Sequence, residues 1–185
     1  MKNKKLIVFD MDGVIVDVSG SYREAVRQTA RLFLKGIGSE NTLPDPLFSL
    51  ADLAGVKQAG GLNNDWELTY HVLTLLMTQI KTPPESPHLD GWTCHEGLVP
   101  RCDATVLSAY LESSTTPLAD LDKQHFGHAN TWIERLSAGD VGTGNIIKQI
   151  FQELYLGEEL FRRTYGFAPR IHDRQGLIDR EALLI

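Results

Sequence analysis

The feature that most constrains the fold is the apolar run Leu6-Ile7-Val8-Phe9, which stops at an acidic turn that begins with Asp10 and Asp12. Four apolar residues are too few to cross a membrane, and they are typical of a strand buried on both faces of a parallel sheet. Ligands of such sheets bind beyond the carboxyl ends of the strands. The start of the chain therefore predicts an α/β core with an acidic site at one edge of its sheet.

The two carboxylates are spaced for shared chemistry. Asp10 and Asp12 stand two residues apart, so they point to the same side of an extended chain. Such charges repel by about 4 kcal/mol at ~4 Å and an effective dielectric constant of ~20, and Mg²⁺ is a natural neutralising ion. One carboxylate could then act as nucleophile and the other as general acid and base, while amides of the turn at Gly13 donate to an anion. A strand that ends in an ordinary Asp/Gly turn is the alternative.

Helical periodicity dominates the rest of the chain. Apolar residues recur at helical spacing in segments that glycine and proline separate. The predicted helices span residues 21–35, 49–59, 66–80, 103–112, 130–136, 143–156 and 158–165, and residues 81–101 are predicted as a proline-rich loop. The sequence thus predicts a mostly helical chain with one N-terminal core strand.

The first motif resembles that of the haloacid dehalogenase (HAD) superfamily of phosphohydrolases. The resemblance lies in Phe9-Asp10-Met11-Asp12-Gly13-Val14, followed by Asp17 and a helix-like segment. It implies that Asp10 is the nucleophile that forms an aspartyl-phosphate, and that Asp12 protonates the leaving group and then activates water. It also implies Mg²⁺ held by the Asp10 carboxylate and the Asp12 backbone carbonyl. Gly13 and Val14 are candidates for contacts with the phosphate. The second acid favours phosphoryl transfer over dehalogenation.

The resemblance further implies a domain organisation. Residues 1–18 would be the first strand and catalytic loop of an α/β HAD-like core, 19–176 a helical cap, and 177–185 the start of the return to the core. Such a cap closes over the site and selects the substrate. The family's later Ser or Thr, Lys and acidic pair have no counterpart here. A second chain or a missing C-terminal segment is therefore expected to complete the core, and this chain alone is expected to be a poor catalyst.

Three residues of the predicted cap are candidates for binding substrate. Arg23, on the first helix, could clamp a phosphate with two hydrogen bonds. Lys57 and Asn63 flank a glycine pair before a helix start, where free amides favour an anion, and they could read the rest of a substrate. The alternatives are a solvated Arg23 and simple helix capping by Asn64 or Asp65. The glycine-rich segment 139–144 lacks the features of a nucleotide-binding loop and is predicted to be a turn.

Composition limits the class of protein. A net charge of -6 over 185 residues argues against a nucleic-acid scaffold, and no segment is typical of a signal peptide or a membrane span. Cys94 and Cys102 are predicted to be free thiols, and the expected location is the cytoplasm.

The combined interpretation is a Mg²⁺-dependent phosphatase that acts on a small phosphorylated metabolite. A phosphomutase of the same superfamily is one alternative. A non-catalytic helical module for interaction or regulation is the other.

Overall fold

The structure is a computed structural model that describes residues 14–18, 20–37, 43–60, 62, 64–83, 91–125 and 127–184. Helices dominate these ranges, and the predicted strand over residues 5–9 lies outside them. The helices are α1 (Tyr22–Phe33), α2 (Leu50–Gly60), α3 (Asp65–Met77), α4 (Gly91–Leu98), α5 (Thr105–Ser113), α6 (Pro117–His125), α7 (Thr131–Leu136) and α8 (Ile146–Tyr165), with 3₁₀ turns at Val99–Arg101 and Leu177–Arg180. Within these ranges no helix is long and apolar enough to span a membrane.

The centre of the fold is formed by α1, α3 and α8, which pack against one another. The inward stripe of α1 includes Ala25, Ala30 and Phe33, all almost fully buried. By contrast, α3 is buried on most of its circumference from Leu68 to Met77, as expected for a helix that is apolar all round. The predicted helices in these three regions are confirmed, because their apolar periodicity matches the faces that the fold buries.

Two helices correct the prediction. The loop predicted over residues 81–101 contains α4, which begins at Gly91 and buries Cys94 and Leu98. In addition, α6 begins at Pro117, where no helix was predicted. Proline is tolerated at a first helical position, and Asp52 of α2 supplies the acceptors for the next two amides of α6. Local sequence does not show this cap, because its donor and acceptor are far apart along the chain.

The break predicted between residues 156 and 158 is confirmed within α8. Gly157 adopts φ 72° and ψ 173°, which is a non-helical conformation open to glycine. The amide of Glu158 there donates to the carbonyl of Arg174 at 3.2 Å, so the segment that follows α8 folds back onto the kink. The kink thereby places Arg174 beside the central helices.

The described ends of the chain meet in a two-stranded antiparallel ribbon. Strand β1 (Val16–Asp17) pairs with β2 (Ala182–Leu183). Glu181 fixes the ribbon to the helices, since its Oε1 accepts hydrogen bonds from Ser21 Oγ at 2.7 Å and from Tyr155 Oη at 2.9 Å. The predicted α/β core and domain boundaries involve residues outside the described ranges and stay predictions.

Candidate functional site

Most of the predicted acidic site lies outside the part of the chain that the structure describes. Asp10, Asp12, Gly13 and Asn63 lie outside the described residues. Within the described ranges, no group of three His, Cys, Asp or Glu side chains could hold a metal ion. The prediction of Mg²⁺ at Asp10 and Asp12 therefore stays a prediction.

The other predicted site residues lie on separate elements. Val14 precedes β1 and is 49% exposed. Arg23 lies in the first turn of α1, and Lys57 on α2 forms an ion pair with Asp65 at 2.9 Å. Among the described residues, no hydrogen bond or ion pair joins any two of the three. The capping alternative is confirmed at Asn64, whose side chain accepts a hydrogen bond from the amide of Glu67 at 2.7 Å.

A cleft of about 400 Å³ lies along the outer face of α1. Its volume falls within the range of about 300–1,000 Å³ that is typical of small-molecule sites. The segment 45–47 forms one wall, and the loop after α8 contributes Arg174. The charged side chains that line it are Glu24, Arg27, Arg31, Lys35, Asp45 and Arg174. Four of these six are basic, in a chain whose net charge is -6.

A chain of hydrogen bonds positions two of the arginines. Glu24 accepts from Arg27 at 2.5 Å and from Gln28 Nε2 at 2.6 Å. The Gln28 Oε1 atom accepts in turn from the guanidinium of Arg174 at 3.0 Å. Each contact restricts a long side chain, so less conformational entropy is lost when a ligand binds.

Arg31 and Lys35 are the other two basic side chains that line the cleft. The Arg31 guanidinium lies 3.9 Å from Asp45, whose side chain is 75% exposed, so water screens this pair strongly. Lys35 is exposed and forms no ion pair with another described residue. Guanidinium groups bind phosphate through two parallel hydrogen bonds, and phosphate esters carry about -1.5 to -2 charges near pH 7. The cleft is therefore suited to a phosphorylated small molecule.

The sequence contains a periodic signal for this cleft. Arg23, Arg27, Arg31 and Lys35 recur every four residues, which places the three arginines along one side of α1 and Lys35 just after its end. The prediction selected only Arg23, which does not line the cleft. Arg174 could not be found by any such spacing, because the fold-back at Gly157 brings it to α1.

Outside the cleft, the titratable side chain of His95 is buried on α4. Its Nε2 atom lies 2.8 Å from the carbonyl oxygen of Phe33, so Nε2 carries the proton and donates. The Nδ1 atom has no partner among the described residues. Burial lowers the pKa of His95, and the nearby Arg170 adds to this effect, whereas the Phe33 carbonyl and Glu96 oppose it.

The pKa of His95 predicts that acid destabilises the fold. The unfolded chain takes up a proton near pH 6.5, while folded His95 stays neutral to lower pH. The free energy of unfolding should therefore fall as the pH falls through ~6.5, by at most about 1.4 kcal/mol per pH unit from this group. Urea titrations between about pH 7.5 and 5.5 measure this slope. His95→Gln should reduce this slope, whereas His128→Gln, at an exposed position, should leave it unchanged. Equal slopes in the unaltered protein and in both variants would contradict the prediction.

Comparisons with known proteins give one informative relative. No protein-family model and no solved structure matches the chain. A curated protein of Phytophthora nicotianae, named imidazoleglycerol-phosphate dehydratase, is 32% identical over 120 residues. The match covers 64% of this chain and 24% of the relative, so the chain spans about a quarter of the length of that protein.

These findings correct the predicted identity. Assignment to the HAD superfamily is wrong, because the relative carries the name of a dehydratase and none of the comparisons points to that superfamily. The phosphatase, the phosphomutase and the non-catalytic module are likewise unsupported. The resemblance rested on a short motif, and a strand followed by an Asp/Gly turn occurs in many proteins. The relative's name agrees with an enzyme in general, but not with hydrolysis of phosphoric esters.

Proposed function

We propose that this chain is a helical part of an enzyme related to imidazoleglycerol-phosphate dehydratase, and that the cleft on α1 binds the phosphate group of its substrate. The observation that carries the proposal is the convergence of Arg27, Arg31, Lys35 and Arg174 on one cleft. The relative's name supplies the compound, a phosphate ester that also bears an imidazole ring and a glycerol chain.

The proposal assigns binding to this chain and the loss of water to the enzyme as a whole. A phosphate in the cleft would compete with the exposed Asp45 for the guanidinium of Arg31. The hydrogen bonds of Glu24 and Gln28 would hold Arg27 and Arg174 in position while the phosphate binds. We place the enzyme in the cytoplasm, since Cys94 and Cys102 are both buried free thiols and reduced thiols are usual there.

Calorimetric titration of the whole chain with imidazoleglycerol phosphate tests the proposal. We expect saturable binding at low ionic strength that weakens as salt is added, because the contacts are charged and partly exposed. Imidazoleglycerol without its phosphate should bind at least ~10-fold more weakly, and inorganic phosphate should compete. Equal binding of the two organic compounds, or no binding at millimolar concentration, would overturn the proposal.

Paired variants locate the phosphate. Arg31→Gln and Arg174→Gln together should weaken binding by ~10-fold or more, since hydrogen bonds to charged groups each contribute about 1.5–3 kcal/mol. Arg163→Gln is the matched control, because Arg163 is exposed on α8 and does not line the cleft. Arg23→Gln tests the phosphate contact predicted from sequence. Weaker binding in that variant, with no change in the Arg31 and Arg174 variants, would place the phosphate at Arg23.

A further inference from the structure

A second cavity, of about 220 Å³, lies between the first turns of α3 and α8 and the end of α7. It shares no lining residue with the cleft on α1. Aromatic side chains form much of its wall: Trp66 and Tyr70 are partly exposed, and the fully buried Phe151 packs against Trp66. Its volume is below the usual range of about 300–1,000 Å³ for drug-sized ligands, so it suits a compound with a single ring. We call it the aromatic pocket.

Two segments that stood out in the sequence meet at this pocket. The side chain of Asn64, after the glycine pair, caps α3 and so places Trp66 in its first turn. Asn145, after the glycine-rich turn 139–144, accepts a hydrogen bond from the amide of Lys148 at 2.9 Å and places Lys148 in the first turn of α8. The two caps thus bring an aromatic ring and a cation to one cavity.

The aromatic wall is held in a defined geometry. The rings of Trp66 and Phe151 meet edge to face, with centroids 4.7 Å apart. The Lys148 ammonium lies 5.6 Å from the centroid of Trp66, within the range of a cation–π contact. A ligand would therefore meet a wall that is formed in advance, which lowers the entropic cost of binding.

Opposite charges line the pocket without pairing with each other. Lys148 binds Asp140 at 2.7 Å, but the Asp140 side chain is 66% exposed, so this pair is weak in water. Glu67 is exposed and forms no ion pair with a described residue. Two partly exposed rings, one ammonium and one carboxylate are complementary to a ring-bearing molecule with a carboxylate and an ammonium of its own.

We propose that the aromatic pocket binds a small zwitterion with one aromatic ring, an aromatic α-amino acid. Lys148 takes the ligand's carboxylate in place of Asp140. Glu67 takes its ammonium, and the ring packs against Trp66 and Tyr70. This site is independent of the phosphate cleft, so either proposal can fail without the other.

Nuclear magnetic resonance of the indole N–H groups tests the site with L-phenylalanine as the probe. The chain has three tryptophans, and Trp66→Phe identifies the signal of Trp66. We expect that signal to shift saturably on titration while those of Trp92 and Trp132 do not. Compounds that lack one charge, 3-phenylpropionate and 2-phenylethylamine, should bind at least ~10-fold more weakly, because each forms only one of the two charged contacts that the amino acid makes.

Variants provide the second arm. Lys148→Met and Glu67→Gln should each weaken binding of L-phenylalanine by ~10-fold or more, whereas Lys123→Met, at a side chain 78% exposed on α6, should not. The comparison of the three ligands uses the unaltered protein, so it tests the proposal even if one of the variants fails to fold. Equal binding of the three compounds, or no shift of the Trp66 signal at millimolar ligand, would overturn the proposal.

Discussion

Gly157→Ala should destabilise this protein by about 3 kcal/mol or more, the largest loss that we expect from a single methyl group. Two causes combine at this position. The backbone has φ 72° and ψ 173°, a region almost restricted to glycine. A Cβ atom would also collide with the backbone nitrogen of Gly176 and lie 2.9 Å from its Cα, and neither atom can move without shifting the loop.

Three further alanine substitutions separate these causes. Gly176→Ala tests the collision alone, because Gly176 has φ -69° but its Cβ would lie 2.5 Å from the carbonyl carbon and oxygen of Leu156. Gly166→Ala tests the conformation alone, since φ is 79° and the space around it is open, and should cost about 1–2 kcal/mol. Gly55→Ala, in an open position of α2, should be neutral or stabilising by up to ~1 kcal/mol.

Urea unfolding of the four variants is the measurement. A loss at Gly157 no larger than that at Gly166 would show that the close approach of the two backbones is absent in solution. Because the loop carries Arg174, Gly157→Ala should also weaken ligand binding at the cleft. That effect should be greater than the effect of Gly55→Ala.

Asp52→Ala should destabilise the protein by about 2–4 kcal/mol, since it removes the acceptor of two amides in a buried interface. The Asp52 carboxylate is 4% exposed and accepts from the amides of Leu118 at 2.8 Å and Ala119 at 3.1 Å. Leu118 is fully buried, so water cannot replace the acceptor there. Burial raises the pKa of Asp52, so the charge itself has a desolvation cost that offsets part of the loss.

Two comparisons make this prediction specific. Asp52→Asn should cost less than Asp52→Ala, because the amide oxygen can still accept one of the two hydrogen bonds. Asn64→Ala removes an exposed cap from α3 and should cost about 1 kcal/mol. Hydrogen exchange at Leu118 and Ala119 should accelerate in Asp52→Ala; unchanged exchange at both amides would contradict the assigned role.

The sequence predicted those elements whose cause is local. Apolar residues at helical spacing indicated α1, α3 and both halves of α8, and Gly157 indicated the break between the halves. The cap at Asn64 and the turn over 139–144 also follow from neighbouring residues. Helical hydrogen bonds connect residues four apart, so a short window contains the information that they need.

Tertiary structure decided what depends on residues distant in the chain. The start of α6 requires a carboxylate from α2, and the cleft on α1 requires Arg174, which approaches Gln28 across 146 residues. Both contacts exist only after the helices have packed, and no periodicity in a single segment encodes them. The sequence by itself thus determined where most of the helices form, whereas the packing of α1, α2, α6 and α8 determined which charged side chains share a site.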